Sequence, residues 1–161
     1  MQAGRILVAQ HDGTFIIKLV GDVRLTLCTT IDEYFNEMFS SPNFVGVLID
    51  LSDAEGIDST SLGLMAKLAV QAQQNYHLVP IIYSPNPSIT RLLDSMGFNK
   101  VFEIHQKIDQ PCDDLGELPV VNADEECVRN KIIEAHKVLM TLNEENHETF
   151  SALVSTLEAV G

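Results

Sequence analysis

Hydrophobic residues come in short alternating or continuous runs through the first hundred positions, then settle into a helical rhythm that lasts to the end. Residues 5–10 and 14–20 are rich in β-branched and aromatic side chains, and His11-Asp12-Gly13 between them carries the Asp-Gly pair of a tight hairpin. Gly21-Asp22 closes the second strand. From Thr29 or Thr30 a helix is expected, with Ile31, Tyr34, Phe35, Met38 and Phe39 on one face, until Ser41-Pro42-Asn43 breaks it. Residues 44–51 form a continuous apolar run, which predicts a buried strand. A loop over 52–57 leads to a helix over about 59–75, with an apolar stripe of Leu62, Met65, Ala66, Ala69 and Val70. Residues 77–83 read as another strand. Pro87 then opens a helix lined by Ile89, Leu92, Leu93 and Met96, which Gly97 ends. Residues 100–105 read as a last short strand. A hairpin followed by strand–helix alternation predicts an α/β fold, a mixed β-sheet with packed helices.

The rest of the chain has a different pattern. Residues 109–121, with Pro111, Gly116 and Pro119, read as a linker. Asn122-Ala123-Asp124-Glu125 has the shape of a helix start, with Asn as cap and Glu three positions on. Val128, Ile132, Ala135, Leu139 and Leu142 repeat at helical spacing, and after a polar break at 143–146 so do Phe150, Leu153, Val154, Leu157 and Val160. This C-terminal α-helical hairpin has one apolar side and must bury it on the main domain, another subunit or a partner. Three units are expected: a domain over 1–108, a linker over 109–121 and an acidic helical extension over 122–161.

Charge changes the picture of possible partners. The net charge of the 161 residues is −13, which disfavours nucleic acid and anionic membranes as partners because both require a basic surface. Residues 1–105 carry 6 basic and 11 acidic side chains and residues 106–161 carry 4 and 12, so the last third is the more acidic per residue. The N-terminus lacks the apolar core of a signal peptide, and no run approaches a membrane-spanning length. Cys28, Cys112 and Cys127 are odd in number and widely spaced, which fits reduced thiols and a cytoplasmic setting.

The candidate chemistry lies at 56–64, where Gly56-Ile57-Asp58-Ser59-Thr60-Ser61-Leu62-Gly63-Leu64 follows the buried strand and opens a helix. An acid and three hydroxyls sit at a helix N-terminus, whose free N–H groups receive a negative group well. A hydroxyl there is expected to be exposed and open to phosphorylation. Helix capping is the ordinary reading of Asp, Ser and Thr at such a place, and a turn aspartate after glycine, such as Asp22, is equally commonplace.

Several segments then agree in order and spacing with one family. Gly21-Asp22, Asp50-Leu51, Ile57-Asp58-Ser59-Thr60 before Leu62-Gly63-Leu64, and Arg91 to Phe98 with Val101-Phe102 together resemble the STAS domain of bacterial anti-sigma factor antagonists, over roughly residues 4–105. The resemblance implies that Ser59, directly after the aspartate, is the phosphorylation site. Ser61 stands where the family usually has glycine or alanine, which leaves Thr60 as the backup site. It also implies an anti-sigma factor that doubles as serine kinase, a PP2C-type phosphatase that reverses the modification, and a docking surface of Gly21, Asp22, Asp58, Ser59, Thr60, Ser61, Leu62 and Gly63. The acidic helical pair is similar to the tails of longer STAS regulators that switch motility or biofilm programmes.

The function expected is therefore a non-catalytic anti-sigma factor antagonist that binds its partner unphosphorylated and releases it when phosphorylated, and so regulates transcription. An alternative is a STAS-like adaptor whose client is a signalling enzyme such as a diguanylate cyclase or a response regulator. A remoter one is a small serine hydrolase, since Ser59-Thr60-Ser61-Leu62-Gly63 lacks one glycine of a nucleophile elbow. His77, His105, His136 and His147 are bases in principle, with nothing in the sequence to join any of them to Ser61. Cys112, Cys127 and His136 have no recognised metal-ligand spacing, Cys127 reads as a small buried hydrophobe on its helix, and no glycine-rich phosphate loop is present. No metal or cofactor is expected.

Overall fold

A computed structural model describes residues 2–108 and 114–160. The hairpin forms as its turn chemistry requires. Strands β1 (Arg5–His11) and β2 (Thr14–Val23) pair antiparallel across Asp12-Gly13, both at positive φ. Strand β3 (Gly46–Asp50) runs parallel to the first half of β2. Strands β5 (Ile81–Tyr83) and β6 (Glu103–His105) continue the parallel side outward.

Two strands were not expected from the sequence. Residues Ala54–Ile57 form β4, parallel to the end of β2, within the stretch read as a loop. Four residues with a glutamate and a glycine carry too little hydrophobic pattern to declare a strand; the free edge of β2 beyond β3 recruits them. Gly116–Glu117 forms β7 against β1, inside the stretch read as a linker. Conversely, 77–80 is not strand, because His77 adopts a left-handed conformation that ends the preceding helix. The seven strands run β6-β5-β3-β2-β1-β7, with β4 beside β2.

Five helices complete the described fold: α1 (Cys28–Ser40), α2 (Ser59–Tyr76), α3 (Pro87–Ser95), α4 (Glu125–Leu142) and α5 (Glu144–Val160). Ile31, Phe35 and Met38 of α1 join Ile17, Leu19, Ile49 and Ile82 of the sheet in one buried cluster. Helix α2 is buried nearly all round: Thr60, Ser61, Gly63, Leu64 and Leu68 are covered as well as Leu62, Met65, Ala66 and Ala69 of the expected stripe, while Val70 is half-buried. Such a helix needs cover on two sides. The sheet domain supplies one and α4 the other.

The α4–α5 hairpin packs back onto its own chain. Ala135, Leu139, Leu142 and Phe150 belong to the main core cluster. Helix α4 is capped by Asp124, which accepts from the Cys127 N–H, rather than by Asn122. At the other end Asn146 donates to the carbonyls of Met96 and Leu139, and so ties the α4–α5 turn to the end of α3. The stripe expected on α5 is only partly used. Phe150 and Val154 are buried, whereas Leu153 and Val160 are 40% and 65% exposed.

Candidate functional site

The site is built where β4 hands over to α2. Asp58 is the N-cap, and one of its oxygens accepts from the Ser61 N–H at 2.9 Å. Its other oxygen accepts from the Leu25 N–H at 2.6 Å, which pins the loop after β2 beside the helix start. The Gly21-Asp22 turn lies alongside, since Asp22 and Val23 pair with Gly56 and Ile57. Gly21 has a φ of +77°, and a Cβ there would stand 2.7 Å from the carbonyls of Gln2 and Ala3. Only glycine fits that turn without displacing the N-terminal segment. Asp22 itself bonds Arg24 at 3.1 Å.

The Ser59 hydroxyl does not face open solvent as expected. Its Oγ lies 2.8 Å from Nε2 of His136, a residue of α4 that is 1% exposed. The Nδ1 of His136 sits 2.7 Å from the carbonyl of Ile132. That carbonyl can only accept, so Nδ1 carries the proton; in the neutral ring Nε2 is then the acceptor and Ser59 donates. The imidazole also meets the ring of Phe150 edge-on, with centroids 5.0 Å apart. Helix α4 thus covers part of the residue singled out by the sequence, and Ser59 is half-buried.

Two further contacts fasten this cover. Gly63 abuts α4 so closely that a Cβ there would press into the Ala135 carbonyl and stand 2.6 Å from the Ala135 Cβ. Asp32 of α1 accepts from Lys67 of α2 at 3.1 Å and from Lys131 of α4 at 2.7 Å, and Lys67 also pairs with Glu134 of α4. Burial works against the Asp32 charge, but the hydrogen bonds from Lys131 and Lys67 outweigh it and hold the carboxyl below its ordinary value. Burial likewise opposes the charge on both lysines, and their hydrogen bonds to Asp32 and Glu134 outweigh it and raise them.

Residues 5–110 match the model of the STAS domain. The chain belongs to the STAS domain family. Helices α4 and α5 follow that region. Among solved structures, an anti-sigma factor antagonist from Mycobacterium paratuberculosis is 20% identical with a TM-score of 0.53, and the match covers 66% of this chain and 89% of that one. A protein from Thermotoga maritima, described provisionally as an anti-sigma factor antagonist, is 19% identical with a TM-score of 0.52, covering 63% and 86%. At these identities the likeness is one of fold. A comparison with curated proteins gave no match.

Within the STAS domain the residues singled out from sequence divide into two groups. Gly21, Asp22, Asp58 and Ser59 come together around the start of α2, whereas Thr60, Ser61 and Leu62 point into the protein at 4%, 0% and 1% exposure. Gly63 is covered by α4. In this conformation those four offer no surface to a partner. The residues sequence reasoning missed are Asp32, Lys67, Lys131, Ala135 and the role of His136. The available signal was polar residues set within apolar helical stretches, Lys67 in α2 and His136 in α4.

The other candidate bases are engaged or placed elsewhere. His77 caps α2, His105 pairs with Glu103 at 2.8 Å and His147 is exposed on α5. The Ser61 hydroxyl is buried and has no hydrogen-bond partner among the described residues. Ser61→Ala is expected to stabilise the protein by about 1 kcal/mol, because it removes a buried hydroxyl left unpaired. Urea denaturation with an unchanged slope checks this.

Among the described residues no three His, Cys, Asp or Glu side chains are placed to hold a metal ion. Cys127 is half-buried rather than buried, and Cys112 lies outside the described residues. No described helix is long and apolar enough to cross a membrane.

Proposed function

We propose that this STAS protein is an anti-sigma factor antagonist, a cytoplasmic partner-switching module controlled by phosphorylation of Ser59. The unmodified protein docks an anti-sigma factor that is also a serine kinase, through the start of α2 and the adjacent Gly21-Asp22 turn. Phosphorylation releases the partner, and a PP2C-type phosphatase restores binding.

One observation carries this reading. Ser59 is the first residue of α2 and Asp58 supplies the cap, so the Ser59 hydroxyl is not consumed in holding the helix together. Its oxygen contacts a side chain from another element. A phosphate adds about −1.5 to −2 charge at pH 7 and is well received by the N-terminus of α2. Its bulk, and its like charge beside Asp22 and Asp58, disrupt the docking surface of the unmodified protein. Domain boundaries near 108 and 121 follow from this reading, with 1–108 as the switching domain and 122–161 as an accessory to it.

The test is modification followed by binding. Incubation with ATP and cell lysate is expected to add one phosphate to the wild type and none to Ser59→Ala, read by intact mass and phosphopeptide mapping. Against a purified anti-sigma partner, Ser59→Ala is expected to bind constitutively and Ser59→Asp poorly. Equal binding by the two variants ends the proposal, and a phosphate that persists in Ser59→Ala moves the site to Thr60.

A further inference from the structure

The covering of Ser59 by α4 has a regulatory consequence. We propose that the α4–α5 hairpin is an intramolecular competitor for the docking face of α2, and that a docked hairpin and a phosphate on Ser59 exclude one another. The inference rests on the site reading above and extends it to the chain's last forty residues, which lie beyond the matched domain.

Ser59 is half-buried, and the hairpin occupies the side on which its hydroxyl bonds. Ser59 Oγ is already at hydrogen-bond distance from His136 Nε2, and His136 is itself enclosed by Phe150 and the α4 backbone. Phosphorylation exchanges the hydroxyl proton for a tetrahedral group with three further oxygens, at an atom that already bonds that imidazole. The Gly63–Ala135 approach places the two helix backbones nearly in contact one turn further on. The contact has no slack in which α4 could settle around a phosphate, so added bulk at Ser59 acts to lift the helix away.

Charge acts in the same direction. Residues 122–161 carry 3 basic and 8 acidic side chains, a net −5. Of the three bases, Lys131 is engaged with Asp32 and Lys137 with Glu158, which leaves Arg129 against the eight acids. A phosphate on Ser59 thus meets a cover with an excess of acids.

The binding face beneath the hairpin has a definite character. It offers a glycine groove at Gly63, an acceptor at Asp32 and the Ser59 hydroxyl, spaced along α1 and α2. A protein partner that competes for it presents a helix with a small residue opposite Gly63 and a cation toward Asp32, as α4 does with Ala135 and Lys131. In the unphosphorylated protein a partner therefore docks on this face only as the hairpin leaves it.

Hydrogen exchange on the full-length protein tests the exclusion directly. Phosphoserine is installed at position 59 during translation, so that no kinase or partner is needed, and amide protection is mapped by mass spectrometry. The expected result is a loss of protection of about tenfold or more across 125–160, with β2, β3 and β5 protected as in the unmodified chain. Unchanged or increased protection of 125–160 overturns the proposal, since it means the phosphate and the docked hairpin coexist.

A second variant, Lys131→Glu, opens the hairpin without touching Ser59. It is expected to be phosphorylated several-fold faster than wild type in the same lysate and ATP mixture. Equal rates, with the hairpin shown open by exchange, also count against competition. If installed phosphoserine opens the hairpin but no lysate ever modifies Ser59, the exclusion stands and the switching function fails.

Discussion

Asp32→Ala is expected to destabilise the protein by about 3 kcal/mol, because it leaves two partly buried ammonium groups facing each other without their shared carboxylate. Asp32 is 7% exposed and holds Lys67 and Lys131 at hydrogen-bond distance. Urea denaturation read by circular dichroism checks the size of the loss. The double variant Asp32→Leu, Lys131→Met is expected to recover most of it, since the cost lies in the uncompensated charge and Lys67 keeps Glu134.

The same network fixes a pH dependence. Asp32 is held below its ordinary value of 3.8, so its contribution is present above that pH and is lost as pH falls through the lower folded value. Lys67 and Lys131 are raised above 10.5, so theirs is present below that pH and is lost as pH rises through the higher folded values. Stability from the latch is therefore flat through neutrality and declines at both extremes. In Asp32→Asn the acid-side decline due to this group should vanish.

The second large effect belongs to Gly63. In an exposed helix, replacing glycine gains up to about 1 kcal/mol of propensity. Here the gain is outweighed, because a Cβ at 63 meets the backbone of Ala135 and backbone cannot rotate out of the way. Gly63→Leu is expected to cost about 2 kcal/mol net. The loss should be local. Amides of α4 and α5 exchange faster while those of the sheet hold, and Ser59 becomes accessible without being phosphorylated. A uniform loss of protection over the whole chain would show instead that the hairpin is an inseparable part of the core.

The elements and their order were legible in the sequence wherever local chemistry decides them. Asp12-Gly13 specified the hairpin, Asn86-Pro87 the start of α3 and Gly97 its end. The Asp58 cap was equally visible, because capping depends only on residues within one turn. Strand β4 was not, since Ala54–Ile57 gains its conformation from the free edge of β2 rather than from its own pattern.

What the sequence determined by itself is the α/β architecture, the STAS motif and Ser59 at a helix start. The amphipathic hairpin could be read too, as a unit that must cover something. Where it docks was decided only by the tertiary structure. Helical periodicity fixes which face of α4 is apolar, yet says nothing about the surface that meets it. That depended on features far apart in sequence: the groove at Gly63, the acceptor at Asp32 and the hydroxyl at Ser59. Their joint fit to Ala135, Lys131 and His136 is a long-range property, and it turns a hydroxyl expected to be exposed into one held under the chain's own C-terminal helix.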